Sequence, residues 1–214
     1  MDERIEKLRE RVREAFSGYT ELAGGRDYRY HHSVSVMKLS LKLLDNLGAD
    51  AEREVLAAGA LLHDIGRTED IEEGFLDPMS TSEGHAGRGV PLVKDYAGDL
   101  FSDGEIERIE SIVGNHDSEP GTAEGMIVKD ADMLDVYGVS NFWRMFHYSC
   151  EKGRSFEDEI GYFWDDAVPG MSDMLEDFNF DISRKVAERR LERQIDAFEQ
   201  ILAENSGEDI SRSI

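Results

Sequence analysis

Several histidines and aspartates of this 214-residue chain are spaced so that they could bind a metal ion. His63 and Asp64 directly follow a run of small and apolar residues at 55–62, and Gly66 comes two residues later. A buried aspartate beside a buried histidine is costly unless the pair is neutralised or binds a metal. Taken alone, the dipeptide favours a simpler interpretation, a helix-end pair with ordinary solvent contacts.

Further candidate ligands stand at predicted helix ends or in a short apolar segment; they are His32, His85, His116 and Asp132. In an antiparallel helical bundle, the start of one helix lies beside the end of the preceding helix. We therefore expect His32 to meet His63 and Asp64. By the same reasoning, His85 is expected to meet His116 across another antiparallel pair.

The donor types restrict the metal. Imidazole and carboxylate ligands together suit iron, manganese, zinc, nickel or cobalt. Three or four such ligands would hold one divalent transition-metal ion. Six ligands, with a carboxylate able to bridge, could hold two ions as in two-metal hydrolases.

The elements that must position these residues are helices, because apolar residues recur at three- and four-residue spacing and no useful strand alternation is found. The fold class is predicted to be all-α. Helices are predicted over residues 3–16, 28–47, 55–62, 82–96, 103–116, 142–150, 156–163 and 184–203. Asp103 is predicted to cap its helix, Pro91 to kink or shorten another, and residues 67–81 to form a loop.

Composition excludes some classes of function. The formal charge of −23 argues against an electrostatic grip on nucleic acid or on an anionic membrane. The single cysteine, Cys150, cannot form an internal disulfide, which suits a reducing cytosol. The first residues lack an apolar signal segment, and no run reaches the length of a membrane span. We therefore expect a cytoplasmic protein without a membrane partner.

In chain order, these motifs resemble the HD-domain superfamily of metal-dependent phosphohydrolases. The matching residues are His32 in His-Ser-Val-Ser-Val, His63 and Asp64 in Leu-Leu-His-Asp-Ile-Gly-Arg, and Asp132 in Lys-Asp-Ala-Asp-Met-Leu-Asp. The chain is most similar to small stand-alone HD hydrolases, whose late motif is followed by a glycine, here Gly138. The resemblance covers about residues 28–140. It implies an HD-type helical bundle with its metal site at helix ends.

The domain prediction follows from length and resemblance together. Residues 1–214 are expected to form one HD-type domain, in which helices within 141–204 pack on the motif core. The last helix carries an apolar stripe of Leu191, Ile195, Phe198 and Leu202. Its two heptads favour packing on the domain, and a homo-oligomer contact is the alternative.

The resemblance also implies a ligand set. The predicted metal ligands are His32, His63, Asp64, His85, His116 and Asp132, of which His85 and His116 occupy the places where some members add two histidines. The family register has an apolar residue four positions after the first ligand. Val36 follows His32 by four residues, whereas Ser35 follows His31, so His32 is chosen over His31.

The residues predicted to act in catalysis are Asp64, Arg67, Lys129 and Asp135. Asp64 is the natural bridging ligand, and Asp135 either orients a ligand or helps to activate water. Arg67 and Lys129 are predicted to meet a substrate phosphate, with Arg88 as a further candidate. An ordinary surface salt bridge is an equally good interpretation for each of these cations. Asp130 is predicted to be solvated.

The resemblance implies that the protein hydrolyses a small phosphoester, such as a nucleotide, with water activated at the metal. One alternative is a di-iron oxygenase, since some HD-family members use two irons and oxygen with a similar ligand set. A second alternative is a nucleotide-binding sensor without turnover. Oxygen-dependent turnover would identify the oxygenase, and any turnover would exclude the sensor.

Overall fold

The computed structural model describes residues 2–71, 75–76, 84–118 and 120–212. Contacts divide the chain into two compact units, Met1–Asp135 and Val136–Ile214. Helices make up almost all of the regular structure in the described residues, which confirms the all-α class. The single-domain arrangement of residues 1–214 stays a prediction.

The first unit is built from six α-helices and a short 3₁₀ helix in its described residues. The α-helices are α1 (Glu3–Phe16), α2 (Tyr28–Leu47), α3 (Arg53–Leu62), α4 (His85–Ala97), α5 (Asp103–Asn115) and α6 (Ala123–Leu134), and the 3₁₀ helix is Ile65–Asp70. The predicted start of the fourth helix at Ser82 lies outside the described residues. α4 continues through Pro91 to Ala97.

The centre of the first unit is α3, whose residues from Val55 to Leu62 are all buried. This helix contacts α1, α2, α5 and α6. Its small residues permit this close packing. At Gly59, an added Cβ would lie 2.7 Å from the Ile112 side chain of α5, so only glycine allows the two helices to approach this closely.

Two local predictions are wrong. The N-cap of α5 is Ser102 rather than Asp103, because Ser102 has the extended backbone that a cap needs whereas Asp103 is already helical. Glu105 completes this end of the helix, accepting hydrogen bonds from Ser102 N at 2.8 Å and Ser102 Oγ at 2.7 Å. The loop predicted at 67–81 is wrong for residues 67–70, which belong to the 3₁₀ helix Ile65–Asp70, in which Thr68 Oγ1 donates to Ile65 O at 2.7 Å. Residues 72–74 and 77–81 of this predicted loop lie outside the described residues.

Three two-residue strands form a small sheet beside the helices. They are β1 (Thr20–Glu21), β2 (Gly25–Arg26) and β3 (Phe75–Leu76), arranged in the order β2-β1-β3. β1 is antiparallel to β2 and parallel to β3. The sheet is too short for alternation to be visible in the sequence, yet it holds the buried carboxylate of Glu21.

The second unit has its own aromatic core. Its helices are α7 (Phe142–Glu151), α8 (Phe156–Tyr162), α9 (Val168–Asp173), α10 (Asp181–Ser206) and α11 (Glu208–Arg212), with a π-helical turn at Phe163–Ala167. The rings of Phe163 and Phe198 stack with centroids 3.9 Å apart, and Phe142 packs against both. The predicted apolar stripe of α10 therefore contributes to the core of this unit. Within the described residues, no helix is both long and apolar enough to cross a bilayer.

Candidate metal centre

The first group of converging side chains comes from three helices of the first unit. His32 lies near the start of α2, His63 caps the end of α3, and Asp132 lies in the last turn of α6. The Nε2 atoms of His32 and His63 are 3.2 Å apart. Asp132 Oδ1 lies 3.1 Å from His32 Nε2 and 3.7 Å from His63 Nε2. We call these three residues the first trio.

The second trio consists of Asp64, His85 and His116. His85 is the first residue of α4, and His116 follows the end of α5. His85 Nε2 lies 3.1 Å from His116 Nε2 and 3.1 Å from Asp64 Oδ1. Gly66 makes this approach possible, because an added Cβ there would lie 2.1 Å from the His85 carbonyl oxygen.

The carboxylate of Asp64, a member of the second trio, also faces the histidines of the first trio. Its Oδ1 atom faces His85, whereas its Oδ2 atom lies 3.5 Å from Nε2 of both His32 and His63. Each trio offers two imidazoles and one carboxylate, with the ligand atoms within 4.8 Å of one another. The six predicted ligands are therefore brought together as two adjacent donor groups that share one carboxylate.

The hydrogen bonds of the imidazoles indicate which nitrogen faces the site. His63 Nδ1 lies 2.8 Å from Ala60 O, and His116 Nδ1 lies 2.8 Å from Val113 O. A carbonyl only accepts, so Nδ1–H donates in each ring and Nε2 carries a lone pair; the tautomer is thus assigned from its partner. Such backbone contacts commonly orient metal-ligating histidines.

His32 follows the same rule with a carboxylate partner. Its Nδ1 atom lies 2.9 Å from Asp135 Oδ2, and Asp135 also accepts from Tyr28 OH at 3.3 Å and Ser35 Oγ at 3.0 Å. Neutral His32 and His63 would therefore direct two lone pairs at each other across 3.2 Å. Such an arrangement is repulsive unless a proton or a metal ion lies between them, and two imidazoles with a carboxylate are a donor set that fits a metal ion.

The electrostatics of the first trio also favour a positive charge. Burial lowers the pKa of His32, but hydrogen bonds with Asp132 and Asp135 outweigh it and raise that pKa to about 9. Desolvation raises the pKa of Asp132, but the hydrogen bond with His32 and the charge of His32 hold it well below its usual range. Burial lowers the pKa of His63 to about 4, which keeps this imidazole neutral and its lone pair available.

Two arginines contact the shared carboxylate, one on each oxygen. Arg67 Nε donates to Asp64 Oδ1 at 2.8 Å, and Arg29 Nη1 donates to Asp64 Oδ2. Burial raises the pKa of Asp64, but the charges of Arg29 and Arg67 hold it well below its usual range. Asp64 is therefore a carboxylate that carries its negative charge despite being buried.

Arg29 was missed by sequence reasoning, together with its partner Glu21. Arg29 Nε and Nη2 donate to Glu21 Oε2 and Oε1 at 2.8 and 2.5 Å. One signal was available for Arg29, since it precedes His32 by three residues and so lies on the same face of α2. No signal marks Glu21, because a two-residue strand has no readable period.

The other sequence predictions have mixed outcomes. His31 is exposed whereas His32 is buried, in keeping with the choice of His32. Lys129 Nζ donates to Ser118 O at 2.8 Å, just beyond His116 in the chain. Asp130 is fully buried, so the prediction that it is solvated is wrong. The reason is that α6 packs against α2, α3 and α5, which covers more of its circumference than one apolar stripe would suggest.

Solvent reaches the site from one side. The side chain of Asp132 is 34% exposed, whereas the other five candidate ligands are buried. Arg67 is also buried, and its Nη1 atom has no hydrogen-bond partner in the described part of the chain. The arrangement thus combines an accessible carboxylate with a guanidinium that retains an unused donor.

Residues 29–137 match the family model of the HD domain. A stretch of 129 residues is 28% identical to the 3'-5' exoribonuclease YhaM of Oceanobacillus iheyensis, covering 57% of this chain and 39% of that protein. Another, of 116 residues, is 33% identical to a tRNA (cytidine(56)-2'-O)-methyltransferase of Thermoplasma volcanium, covering 52% and 32%. The chain thus spans well under half the length of these two curated relatives.

Solved structures share the fold. Bacillus subtilis YpgQ in complex with ADP superimposes with a TM-score of 0.65 at 19% identity, covering 94% of this chain and 97% of that one. A predicted HD superfamily hydrolase from an uncultured Thermotogales bacterium gives 0.65 at 22% identity, covering 93% and 91%. An HD-superfamily hydrolase from Bacillus thuringiensis gives 0.66 at 21% identity, covering 95% and 97%.

Proposed function

The chain belongs to the HD-domain family, and from this premise we propose that it is a metal-dependent phosphohydrolase acting on a small phosphoester, such as a nucleotide. The observation that carries the proposal is the position of Asp64, whose two oxygens face His85 of its own trio and the histidines of the first trio. The similarly folded YpgQ structure contains ADP, which is itself a phosphoester. That likeness supports the substrate class.

The proposed site would hold two divalent transition-metal ions. His32, His63 and Asp132 would be ligands of one ion and His85 and His116 of the other, and Asp64 could serve both. When bound by such donors, the metal ions lower the pKa of a coordinated water and polarise phosphoryl oxygens. The donor set fits iron, manganese, zinc, nickel or cobalt.

Other side chains of the site orient groups and bind the phosphate. Asp135 holds the Nδ1–H of His32 and so directs Nε2 into the first trio. This contact favours an orienting role for Asp135, because Asp135 lies on the Nδ1 side of the His32 ring, which faces away from the other ligands. Arg67 is anchored through Nε on Asp64, and its Nη1 atom is the proposed donor to a phosphate oxygen.

Lys129 is proposed as a second, weaker phosphate contact. Within the described residues, the ammonium group is held by the Ser118 carbonyl and by no carboxylate. Its positive charge could therefore attract a phosphate. The ammonium could exchange its carbonyl partner for a substrate phosphate without breaking an ion pair to any described residue.

A di-iron oxygenase is the second candidate function. Each trio has two histidines and one carboxylate, which is the donor set typical of non-haem iron(II) oxygenases. The same ligands therefore suit oxygen chemistry as well as hydrolysis. The two functions differ in what they consume, since only the oxygenase requires oxygen for turnover.

The test begins with metal analysis of protein purified anaerobically, followed by a panel of phosphoesters assayed with and without oxygen. We expect phosphate release that needs the metal and is indifferent to oxygen. Asp64→Ala should lose metal and activity together while keeping its helical content, and His31→Ala, at an exposed neighbouring position, serves as the control. Oxygen-dependent turnover without phosphate release would identify the oxygenase instead. A metal-replete, fully active Asp64→Ala variant would contradict the proposed site.

A further inference from the structure

Three charged side chains form a buried series of ion pairs beside the candidate metal centre. Glu21, Arg29 and Asp64 are 3%, 7% and 3% exposed. The guanidinium of Arg29 donates hydrogen bonds from Nε and Nη2 to the two oxygens of Glu21. Its third nitrogen, Nη1, donates a hydrogen bond to Asp64 Oδ2. Burying three charges is costly, and such an ion pair commonly adds little stability compared with apolar residues of similar volume. We therefore expect these ion pairs to have a role other than stabilising the fold.

The Asp64 carboxylate must keep one orientation if it is to face both groups of histidines. Its Oδ1 and Oδ2 atoms face different trios, so a rotation of the carboxylate plane would take an oxygen away from one of them. The terminal torsion of an aspartate side chain is broad and has no sharp intrinsic preference. The orientation must therefore come from neighbouring groups, and the two arginines supply one donor to each oxygen.

Arg29 differs from Arg67 in how completely it is engaged. All three guanidinium nitrogens of Arg29 bind carboxylates, whereas Nη1 of Arg67 has no partner in the described residues. Arg29 is thus not available to a substrate. It precedes His32 by one helical turn, so it ties Asp64 to the same helix that provides a ligand of the first trio.

We propose that Arg29, held by Glu21, is a positioning residue that fixes the Asp64 carboxylate so that each of its oxygens faces one trio. Glu21 has two roles in this arrangement. It fixes the plane of the guanidinium through a two-point contact, and it neutralises the positive charge of Arg29 beside the metal centre. The inference rests on the metal centre of the proposed function, but it does not depend on which reaction takes place there.

The first test measures Mn²⁺ binding by the full chain after metal removal, using Arg29→Lys and Arg29→Met. A lysine is a point charge and cannot contact Glu21 at two points while also reaching Asp64. Loss of an outer partner of a ligand typically weakens metal binding about 10- to 100-fold. We expect a loss of this size in both variants. Arg108→Met is the matched control, because Arg108 also joins two carboxylates, Glu52 and Glu124, that belong to neither trio.

A double variant separates positioning from stability. Arg29→Met alone leaves Glu21 buried and unpaired, and the variant is expected to be destabilised for that reason. In Glu21→Leu/Arg29→Met, the charges are removed together and the melting temperature should return towards that of the wild type. If Arg29 positions Asp64, the double variant still binds Mn²⁺ about 10- to 100-fold more weakly. This variant also provides the test if Arg29→Met does not fold.

The outcomes are distinct. Wild-type Mn²⁺ affinity in the folded double variant would overturn the positioning role and leave the ion pair as a structural feature only. A wild-type chain that binds no Mn²⁺ would overturn it as well. Wild-type protein that binds Mn²⁺ with the expected losses in the variants, yet hydrolyses no phosphoester, would support the positioning role and contradict only the proposed reaction.

Discussion

The Nε2 atoms of His85 and His116 lie 3.1 Å apart although 31 positions separate the two residues in the chain. His32 and His63 are separated by the same number of positions and lie 3.2 Å apart. Both pairs arise where the start of one helix meets the end of another. The centre is thus two similar histidine pairs, each with a carboxylate, which is the basis of the two-ion proposal.

The stoichiometry of the metal is the first prediction. His85→Ala/His116→Ala removes both imidazoles of the second trio and leaves the first trio intact. We expect bound metal to fall from about two ions per chain to about one, with most activity lost, as the two-metal argument requires. Elemental analysis at saturating metal under anaerobic conditions measures it. Equal stoichiometry in variant and wild type would show that the second site does not exist.

The second prediction concerns Asp135. Asp135→Asn keeps the shape of the side chain but replaces the carboxylate that receives His32 Nδ1–H with an amide. The His32 ring should be less firmly oriented and its Nε2 atom less basic, and metal affinity should therefore fall about 10- to 100-fold. Titration calorimetry with Mn²⁺ measures the change. Ser35→Ala removes only a hydroxyl contact to Asp135 and should lower metal affinity less. Equal losses in the two variants would argue that the Asp135 carboxylate does not orient His32.

Much of the site could be predicted because its residues are marked locally. His63 and Asp64 follow an apolar helix, and the antiparallel arrangement of helices alone is enough to bring His32 towards them. The helix bounds 3–16 and 28–47 were also predicted in full, since apolar residues recur there at helical spacing.

What could not be predicted depends on tertiary contacts. Arg29 and Asp64 are 35 residues apart. The spacing of Arg29 and His32 indicates the face of α2 on which Arg29 lies, but it does not identify Asp64 as its partner. Asp130 is buried because three helices surround α6, a number that the sequence of α6 does not reveal. The cap of α5 was misplaced by one residue because serine and aspartate are adjacent and both are good caps.

The third prediction separates the two proposed phosphate contacts. Arg67→Ala removes the unpartnered Nη1 donor together with the Nε contact to Asp64, and we expect kcat to fall about tenfold or more, which corresponds to about 1.4 kcal/mol. A contact made mainly in the transition state lowers kcat more than it raises KM. Lys129→Ala should have a smaller effect, because Lys129 must first leave the Ser118 carbonyl. Steady-state kinetics at saturating metal measures both variants, and unchanged parameters in both would refute these assignments.

The last prediction concerns pH and the stability of the helix that leads to His116. Hydrogen bonds from the Ser102 hydroxyl and backbone lower the pKa of Glu105 from its ordinary 4.5 to about 2, helped by Arg4, whose Nη1 donates to Glu105 Oε1 at 3.0 Å. Because the folded pKa is depressed, the unfolded chain binds the proton more readily between these values. The contribution of Glu105 is therefore complete above pH 4.5 and is lost as the pH falls towards 2.

Glu105→Gln tests this linkage. At pH 7 the variant should lose about 1 kcal/mol of unfolding free energy, the usual size of a helix-capping contribution. The difference from wild type should shrink steadily below pH 4.5 and be lost as the pH falls through the folded pKa of about 2, because the protonated glutamic acid is as neutral as glutamine. Urea denaturation at a series of pH values measures it, with Glu107→Gln, at an exposed position of the same helix, as the control. A difference that stays constant from pH 7 to pH 2 would show that the charge of Glu105 does not stabilise this end of α5.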